Sequence, residues 1–505
     1  MKTTVMMDEA LCDEMLQEIF RKLPPSSSSA ISLVSRRWLT LHRSSLTSLT
    51  LRIPKHSHLP SSFLVLLLHR YTYLLSLTVL LPVSCCFDDD DDLEDNSDNL
   101  LLCLIAYPPH RHRLRHLRFM LGSVSSAALQ KVSMVPPFRN LVSLNLSRIR
   151  PLCFRWVRFF PCLKELSVLN CSPSTDDCLV PGELAVRRGL LEEEEEVVEE
   201  LGLEVISLCG IRWGDHGFRW LWRRCGNLKC LQLRSCDGTG DGTGEGTRGD
   251  DVEYRLLRNY NFARKLRNLQ RLELRSCRTI ADRVLLDVAD NCRLLNSLLL
   301  YDGGSREGLR RFIERCTKSL HTLDFRLPLD LDNTHLITTA ETFRNLTTLR
   351  LHSCCLITGD GLRSIGQVTG GSLSDLTLVN CDVIEKEVGL LTFLGQTLRL
   401  LRRLDLSHND MLVDRELGSM LASCKNLIEI HLRGCQRLTN VIVTKLIKCC
   451  EGLETVDVTN CGGINIHGVE TLIGDSPRLK KIVVDDSNLS PTARSSAYRR
   501  SIQVC

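Results

Sequence analysis

Aromatic residues are scarce in this chain, at 5% of 505 residues. That excludes a core built on stacked rings and leaves leucine to fill the interior. An uninterrupted apolar run of the roughly twenty residues that a membrane span needs is also missing. The nearest, FLVLLLHRYTYLLSLTVLLPV (63–83), has His69 and Arg70 at its middle, where charge is costly in lipid. No membrane association is expected. The opening residues, MKTTVMMDEA, hold no apolar stretch, so no signal peptide is expected. Paired C-x-x-C knuckles are absent, which argues against a zinc module. No Ser or Cys nucleophile signature occurs, so intrinsic catalysis has no candidate. Neither cofactor nor metal is expected.

What is present is a phrase that recurs: LKCLQLRSC (228–236), LQRLELRSC (269–277), LTTLRLHSC (346–354), LSDLTLVNC (373–381), LIEIHLRGC (427–435) and LETVDVTNC (453–461). Each is apolar at positions 1, 4 and 6, with Cys at position 9. So short a unit cannot bury its own apolar face and must stack on copies of itself. LTSLTLRI (46–53) and LLSLTVLL (74–81) read as irregular first units. Further phrases start at Leu114, Leu141, Leu163, Leu203, Leu228, Leu269, Leu295, Leu320, Leu346, Leu373, Leu401, Leu427, Leu453 and Leu479. From Leu269 onward the steps are about 26 residues, inside the 20–29 range of leucine-rich repeats. Segments between phrases carry helical patterns, such as TIADRVLLDVADNC (279–292) with Thr279 as its expected cap. Each unit is therefore a strand followed by a helix. The residues after 486 lose the pattern and either cap the last unit or trail from it.

The 24 cysteines follow the same register. Cys171, Cys236, Cys277, Cys354, Cys381, Cys435 and Cys461 take position 9; Cys225, Cys292, Cys424 and Cys450 sit three residues before the next phrase. Equivalent sites in a stack point the same way, and a buried free thiol behaves as a small hydrophobe. The expected compartment is reducing, nucleus or cytosol.

Three steps are longer, and their surplus is acidic: DDDDDLEDNSD (88–98), EEEEEVVEE (192–200) and DGTGDGTGEGTRGDD (237–251). Composition reads all three as solvated loops. Together they carry −19 against +4 for the whole chain, which leaves +23 on the rest. The G-x-G-x-x-G match at Gly244, Gly246 and Gly249 lies ten residues from a strand among acidic side chains. It is read as a flexible insertion, not a phosphate cradle. HRHRLRHLR, with His110, His112 and His116, lacks interleaved aromatics and fits the Leu114 phrase, so no nucleic-acid partner is expected.

Strand alternation sends positions 3, 5 and 7 away from the leucine core. Position 7 gives Arg234, Arg275, Tyr301, Arg326 and His352 in one row, with Arg271 and Arg350 beside it. Such a row suits an acidic or phosphorylated segment of a target protein. The alternative is a solvated face on which Glu273 and Asp324 neutralise their neighbours.

Ahead of the repeats, LCDEMLQEIFRKLP (11–24) places Leu16, Ile19, Phe20 and Leu23 at helical spacing, and PPSSSS breaks the chain. A second apolar-faced helix follows in AISLVSRRWLTLHR (30–43). So small a pair carries more apolar surface than it can cover, and an external partner is expected. The stretch resembles an F-box, whose pattern appears as Leu11-Cys12-Asp13-Glu14, Ile19-Phe20, Leu23-Pro24 and Leu33-Val34-Ser35-Arg36-Arg37-Trp38. Cys12 stands for the usual proline and Ser35 for the usual cysteine. With the repeats behind it, the chain resembles a plant-like F-box/leucine-rich-repeat protein of the cysteine-containing subclass.

That resemblance implies an α/β fold: a small all-helical F-box, then a curved solenoid with parallel strands on its concave face and helices on its convex face. The expected divisions are a lead (1–10), the F-box (11–52), the solenoid (53–486) and a cap or tail (487–505). It also implies the substrate receptor of a Skp–cullin–F-box ubiquitin ligase, with no bond chemistry in this chain. Leu11, Leu16, Ile19, Phe20, Leu23, Val34 and Trp38 would dock the Skp adaptor and, through it, cullin and RING subunits. The concave face would hold the target, with Arg234, Arg271, Arg275, Tyr301, Arg326, Arg350 and His352 as its candidate residues. A small-molecule or inositol-phosphate sensor on the same fold, and a scaffold with a vestigial F-box, are the competing readings.

Overall fold

The computed structural model describes residues 11–24, 27–53, 66, 68–71, 73–80, 94–103, 113–150, 152–170, 200–210, 217–236, 266–316, 320–328 and 330–505. The chain divides into two compact units: Met1–Leu228 with Gly240–Lys265, and Lys229–Thr239 with Leu266–Cys505.

In the first unit three helices come first: α1 (Asp13–Lys22), α2 (Ser28–Val34) and α3 (Arg36–Ser45). Six strands follow: β1 (Ser48–Arg52), β2 (Ser76–Leu80), β3 (His116–Ser125), β4 (Ser143–Arg150), β5 (Glu165–Asn170) and β6 (Val205–Cys209). Each pairs in parallel with the next, so that Leu49, Leu77, Leu117, Leu144, Leu166 and Ile206 form one row. The span-like stretch 63–83 thus contains β2, and no helix among the described residues is long and apolar enough to cross a membrane.

The second unit holds β7 (Cys230–Arg234), β8 (Arg271–Arg275), β9 (Ser297–Tyr301), β10 (Thr322–Arg326), β11 (Thr348–His352), β12 (Asp375–Val379), β13 (Arg403–Asp405), β14 (Glu429–His431), β15 (Thr455–Asp457), β16 (Lys481–Val483) and β17 (Gln503–Val504). All pair in parallel in sequence order. From β8 to β16 a helix or helix pair separates each strand from the next, beginning with Ala281–Asn291 and Arg306–Arg315. This is the leucine-rich-repeat solenoid that the periodicity predicts. Every strand from β1 to β16 begins at position 3 of its phrase. Positions 1, 4 and 6 are buried in each repeat of this unit, as with Leu346, Leu349 and Leu351. Each such side chain is worth about 1.5–3 kcal/mol of burial.

Two positions give the phrase its shape. Position 8 is left-handed in every repeat from β7 to β15: Ser235, Ser276, Asp302, Leu327, Ser353, Asn380, His408, Gly434 and Asn460 all have positive φ. This turn ends the strand and brings position 9 under the sheet. There the thiol donates to the position-6 carbonyl of the preceding repeat: Cys277 to Leu233 at 3.5 Å, Cys435 to Leu406 at 3.2 Å and Cys461 to Leu432 at 3.0 Å. Asn409 takes the same position in the Leu401 repeat. Its Nδ2 donates to Leu378 O at 2.8 Å and Leu406 O at 2.7 Å, and its Oδ1 accepts from the Cys381 amide at 3.0 Å. The described cysteines are free thiols, and those at position 9 are buried; Cys171 lies outside the described residues.

Repeats are also tied at their helix starts. Asp282 accepts from the Ser305 amide at 2.7 Å, Asn333 from Thr358 at 2.9 Å, Asp414 from Thr439 at 2.9 Å and Asn440 from Asn465 at 3.1 Å. The tail closes the stack: the helix Pro491–Arg499, capped by Ser490, leads into β17, which pairs with β16. Arg500 donates to the carbonyls of Ile473, Gly474 and Ser476 at the end of the preceding helix.

Two expectations are corrected. Thr279 is not the cap of its helix: the helix starts at Ala281 with Ile280 in the cap position and no side-chain cap. The first acidic stretch is not wholly loop, because Glu94–Cys103 is helical. Its apolar side buries Leu101, and Asp98 accepts from the Ser125 amide at 2.8 Å, so this carboxylate is structural. Residues 88–93, 192–199 and 237–251, with Gly244, Gly246 and Gly249, lie outside the described residues, as do the lead 1–10, His110, His112 and the Cys85-Cys86 pair.

Candidate docking surfaces

The three N-terminal helices build the first surface. Leu16, Phe20, Ile31 and Leu41 form their core, with Leu11 and Trp38 packed against it. The Phe20 ring lies 5.3 Å from that of Trp38 and 6.0 Å, edge-on, from that of His42. Burial, with the Arg43 charge adding to it, holds His42 below its ordinary pKa. Arg37 locks the helices together by donating to Asp13 Oδ1 at 2.7 Å and to the Leu11 carbonyl at 2.9 Å. Ser35, in place of the usual cysteine, caps α3 by accepting from the Trp38 amide at 3.1 Å. Cys12 takes the cap position of α1 with φ −73°, and its side chain makes no cap.

This packing splits the seven residues that the F-box resemblance assigned to docking. Leu16 and Phe20 are core residues, buried because they face α2 and α3, and cannot touch a partner. Leu11 and Trp38 are half-buried supports. Ile19, Leu23 and Val34 are open, Ile19 at 42%. The structure adds two that periodicity missed, Met15 and Leu33, the latter 86% exposed. Met15, Ile19 and Leu23 recur every four residues along one side of α1, while Leu33 and Val34 end α2. Their signal in the sequence was an apolar surplus beyond what one core stripe needs. Charged neighbours leave this side apolar: Arg21 and Lys22 pair with Glu18.

The second surface is the helix-free side of the second unit's sheet. Parallel register sets Arg234, Arg275, Tyr301, Arg326 and His352 side by side. The row is not a line of free cations, however. Glu273, at position 5 of β8, is 2% exposed and bridges Arg271 at 2.5 Å and Arg275 at 3.2 Å. Asp324, equally buried at the same position of β10, binds Arg326 through two hydrogen bonds of 2.8 Å. Arg350 and His352 lie 3.9 Å from it. Alternation does send position 5 outward, but the long guanidinium side chains on either side close over it. Between the two clusters β9 presents the half-buried Tyr301, while Leu299 is buried. His352 is held below its ordinary pKa by burial and by the Arg326 charge. Arg234 is exposed, with no ion pair among the described residues.

Farther along, the same face is charge-balanced. Arg403 bridges Asp375 at 2.8 Å and Glu429 at 3.2 Å. His431 lies 3.7 Å from Asp457 and 2.8 Å from Glu429, and these carboxylates push it up to about 9 against its burial. His116 and Arg118 stand exposed on β3 of the first unit. Among the described residues no group of three or more His, Cys, Asp or Glu is placed to hold a metal. Cys354 is buried while Cys355 is exposed, so that adjacent pair does not converge.

Residues 9–44 match the F-box domain family. Among solved structures, the chain is similar to one in the crystal structure of the Rad7 and Elc1 complex in yeast. That match has a TM-score of 0.40 and 15% identity, covering 60% of this chain and 80% of the other. It is also similar to one in the TLR13–ssRNA13 complex, with a TM-score of 0.41 and 14% identity, covering 93% of this chain and 54% of the other. The chain thus spans about half the length of the second structure that it matches.

Proposed function

We propose that this chain is the target-binding subunit of a Skp–cullin–F-box ubiquitin ligase, of the plant-like, cysteine-containing F-box/leucine-rich-repeat type. The observation that carries the proposal is the F-box itself: residues 9–44 match that domain, and its folded helices leave Met15, Ile19, Leu23, Leu33 and Val34 open. An apolar patch of this kind on so small a domain is a site for a protein partner. The Skp adaptor would cover it and bring cullin and RING subunits with it, in the nucleus or cytoplasm. The repeat face would hold a target, acidic or phosphorylated, beside the ubiquitin-charged enzyme. Its task is proximity, because tethering raises the effective concentration of target lysines. No bond is made or broken by this chain.

The test is capture of the full chain by purified Skp adaptor. Wild type is expected to co-elute. The surface double variant Ile19→Glu/Leu33→Glu is expected to lose capture by at least tenfold with its melting temperature unchanged, since neither side chain is in the core. A double variant that binds as well as wild type overturns the proposal.

A further inference from the structure

Resting on that reading of the repeat face, we propose that the target segment carries two anionic side chains about three residues apart, with an apolar side chain between them. The two arginine clusters are separate and held in place. On β8, buried Glu273 holds Arg271 and Arg275; on β10, buried Asp324 holds Arg326 and draws Arg350 in from β11. A buried carboxylate fixes each guanidinium before any ligand arrives, which lowers the ordering cost of binding.

Charge still remains for a ligand. With Arg234, five guanidinium groups share two carboxylates. Arg326 already occupies both oxygens of Asp324, so Arg350, 3.9 Å away, keeps most of its donors. Beyond β12 the cations are more sparsely placed: Arg403 and His431 are each shared between two carboxylates, and Arg433 stands exposed without a neighbouring arginine cluster.

The geometry sets the spacing. Strand β9 separates the clusters, so two steps of about 4.8 Å place them about 10 Å apart. A polyproline-II chain laid across the strands covers that in about three residues at roughly 3.1 Å each and, turning once in three residues, brings i and i+3 to the same side. Its middle would then lie over the half-buried ring of Tyr301, with Leu299 buried beside it. A lone charge would engage one cluster, and adjacent charges would crowd into one; only the spaced pair uses both.

The experiment is fluorescence polarisation on the full chain in the presence of purified Skp adaptor. The probes are nine-residue acetylated peptides of equal charge, each with one leucine and with glutamates at i and i+1, i and i+3, or i and i+6. A parallel set carries phosphoserine in place of glutamate. The i, i+3 peptide is expected to bind at least tenfold tighter than the others. The set that binds more tightly identifies the anion as carboxylate or phosphate. Arg271→Gln/Arg350→Gln, which leaves one guanidinium on each buried carboxylate, is expected to erase that preference; Arg433→Gln, outside the clusters, should leave it unchanged. Equal affinity for all spacings, or a preference that survives the double variant, overturns the proposal. So does inositol hexakisphosphate binding more tightly than any peptide and being lost in the same double variant. Adaptor capture on the same samples separates the two claims. Capture without spacing preference sinks only the pattern, whereas preference without capture sinks the ligase reading.

Discussion

Leu327 donates its amide to the carbonyl of His352 at 3.0 Å while holding a φ of +48°. The bond continues the ladder past the end of β10, and the left-handed turn is what positions the donor. A leucine in that region costs roughly 1–2 kcal/mol that glycine does not incur and asparagine only in part. Leu327→Asn is therefore expected to stabilise the second unit by about 0.5–1 kcal/mol, seen as a higher urea midpoint at unchanged slope. A lower midpoint would show that the half-exposed leucine packs more favourably than its backbone is strained.

His431 makes stability depend on alkaline pH. Asp457 and Glu429 hold it up to about 9, above the 6.5 of an unfolded imidazole. A folded-state pKa above the unfolded one contributes stability that is complete below pH 6.5 and fades as pH rises through 9. Melting temperature is expected to fall between pH 7 and 9.5. His431→Gln, which leaves Asp405, Glu429 and Asp457 without their shared cation, should be less stable at pH 6.5 and nearly flat across that window. A wild-type curve without alkaline slope would refute the assignment.

The two departures from the F-box pattern act in opposite directions. Cys12 already has the φ that proline imposes, so Cys12→Pro is expected to gain about 0.4–1 kcal/mol by restricting the unfolded chain. Ser35→Cys removes the cap on the Trp38 amide and should cost about 1 kcal/mol. Thermal unfolding of both variants checks the signs; a loss with proline would mean that the Cys12 amide is needed.

Asn409 has three buried hydrogen bonds to lose. Asn409→Ala strips partners from two buried carbonyls and one amide, and is expected to cost about 2–4 kcal/mol by denaturant unfolding. Asn409→Cys restores the donor that neighbouring repeats use and should recover part of that loss. Equal costs for the two would deny the thiol column its hydrogen-bonding role.

Much of the fold was written in the repeat. Leucines at 1, 4 and 6 can bury only on a strand stacked beside its copies, so Leu269 or Leu346 places its strand to the residue. The row from Arg234 to His352 was legible for the same reason. What alternation could not show was depth: Glu273 and Asp324 read as outward, yet arginines from their own and neighbouring strands close over them. The left-handed residue at position 8 did leave a signal in its Ser, Asn, Asp and Gly bias, hidden by exceptions such as Leu327. In the F-box the apolar spacing located the helices but not the division between core and surface. Phe20 and Ile19 are adjacent, and only the packing of α2 and α3 turns one inward.

The column of thiols also makes the chain its own reporter of opening. Alkylation requires a thiolate in reach of the reagent, and burial pushes Cys435, for example, up to about 12. Among the described cysteines of the intact stack, a maleimide should mark exposed Cys12, Cys162, Cys355 and Cys505 first. Cys435 and Cys461, both buried and raised by that burial, would be tagged only when their own repeat lets go. A time course read by mass spectrometry would then order the repeats by how readily each comes loose.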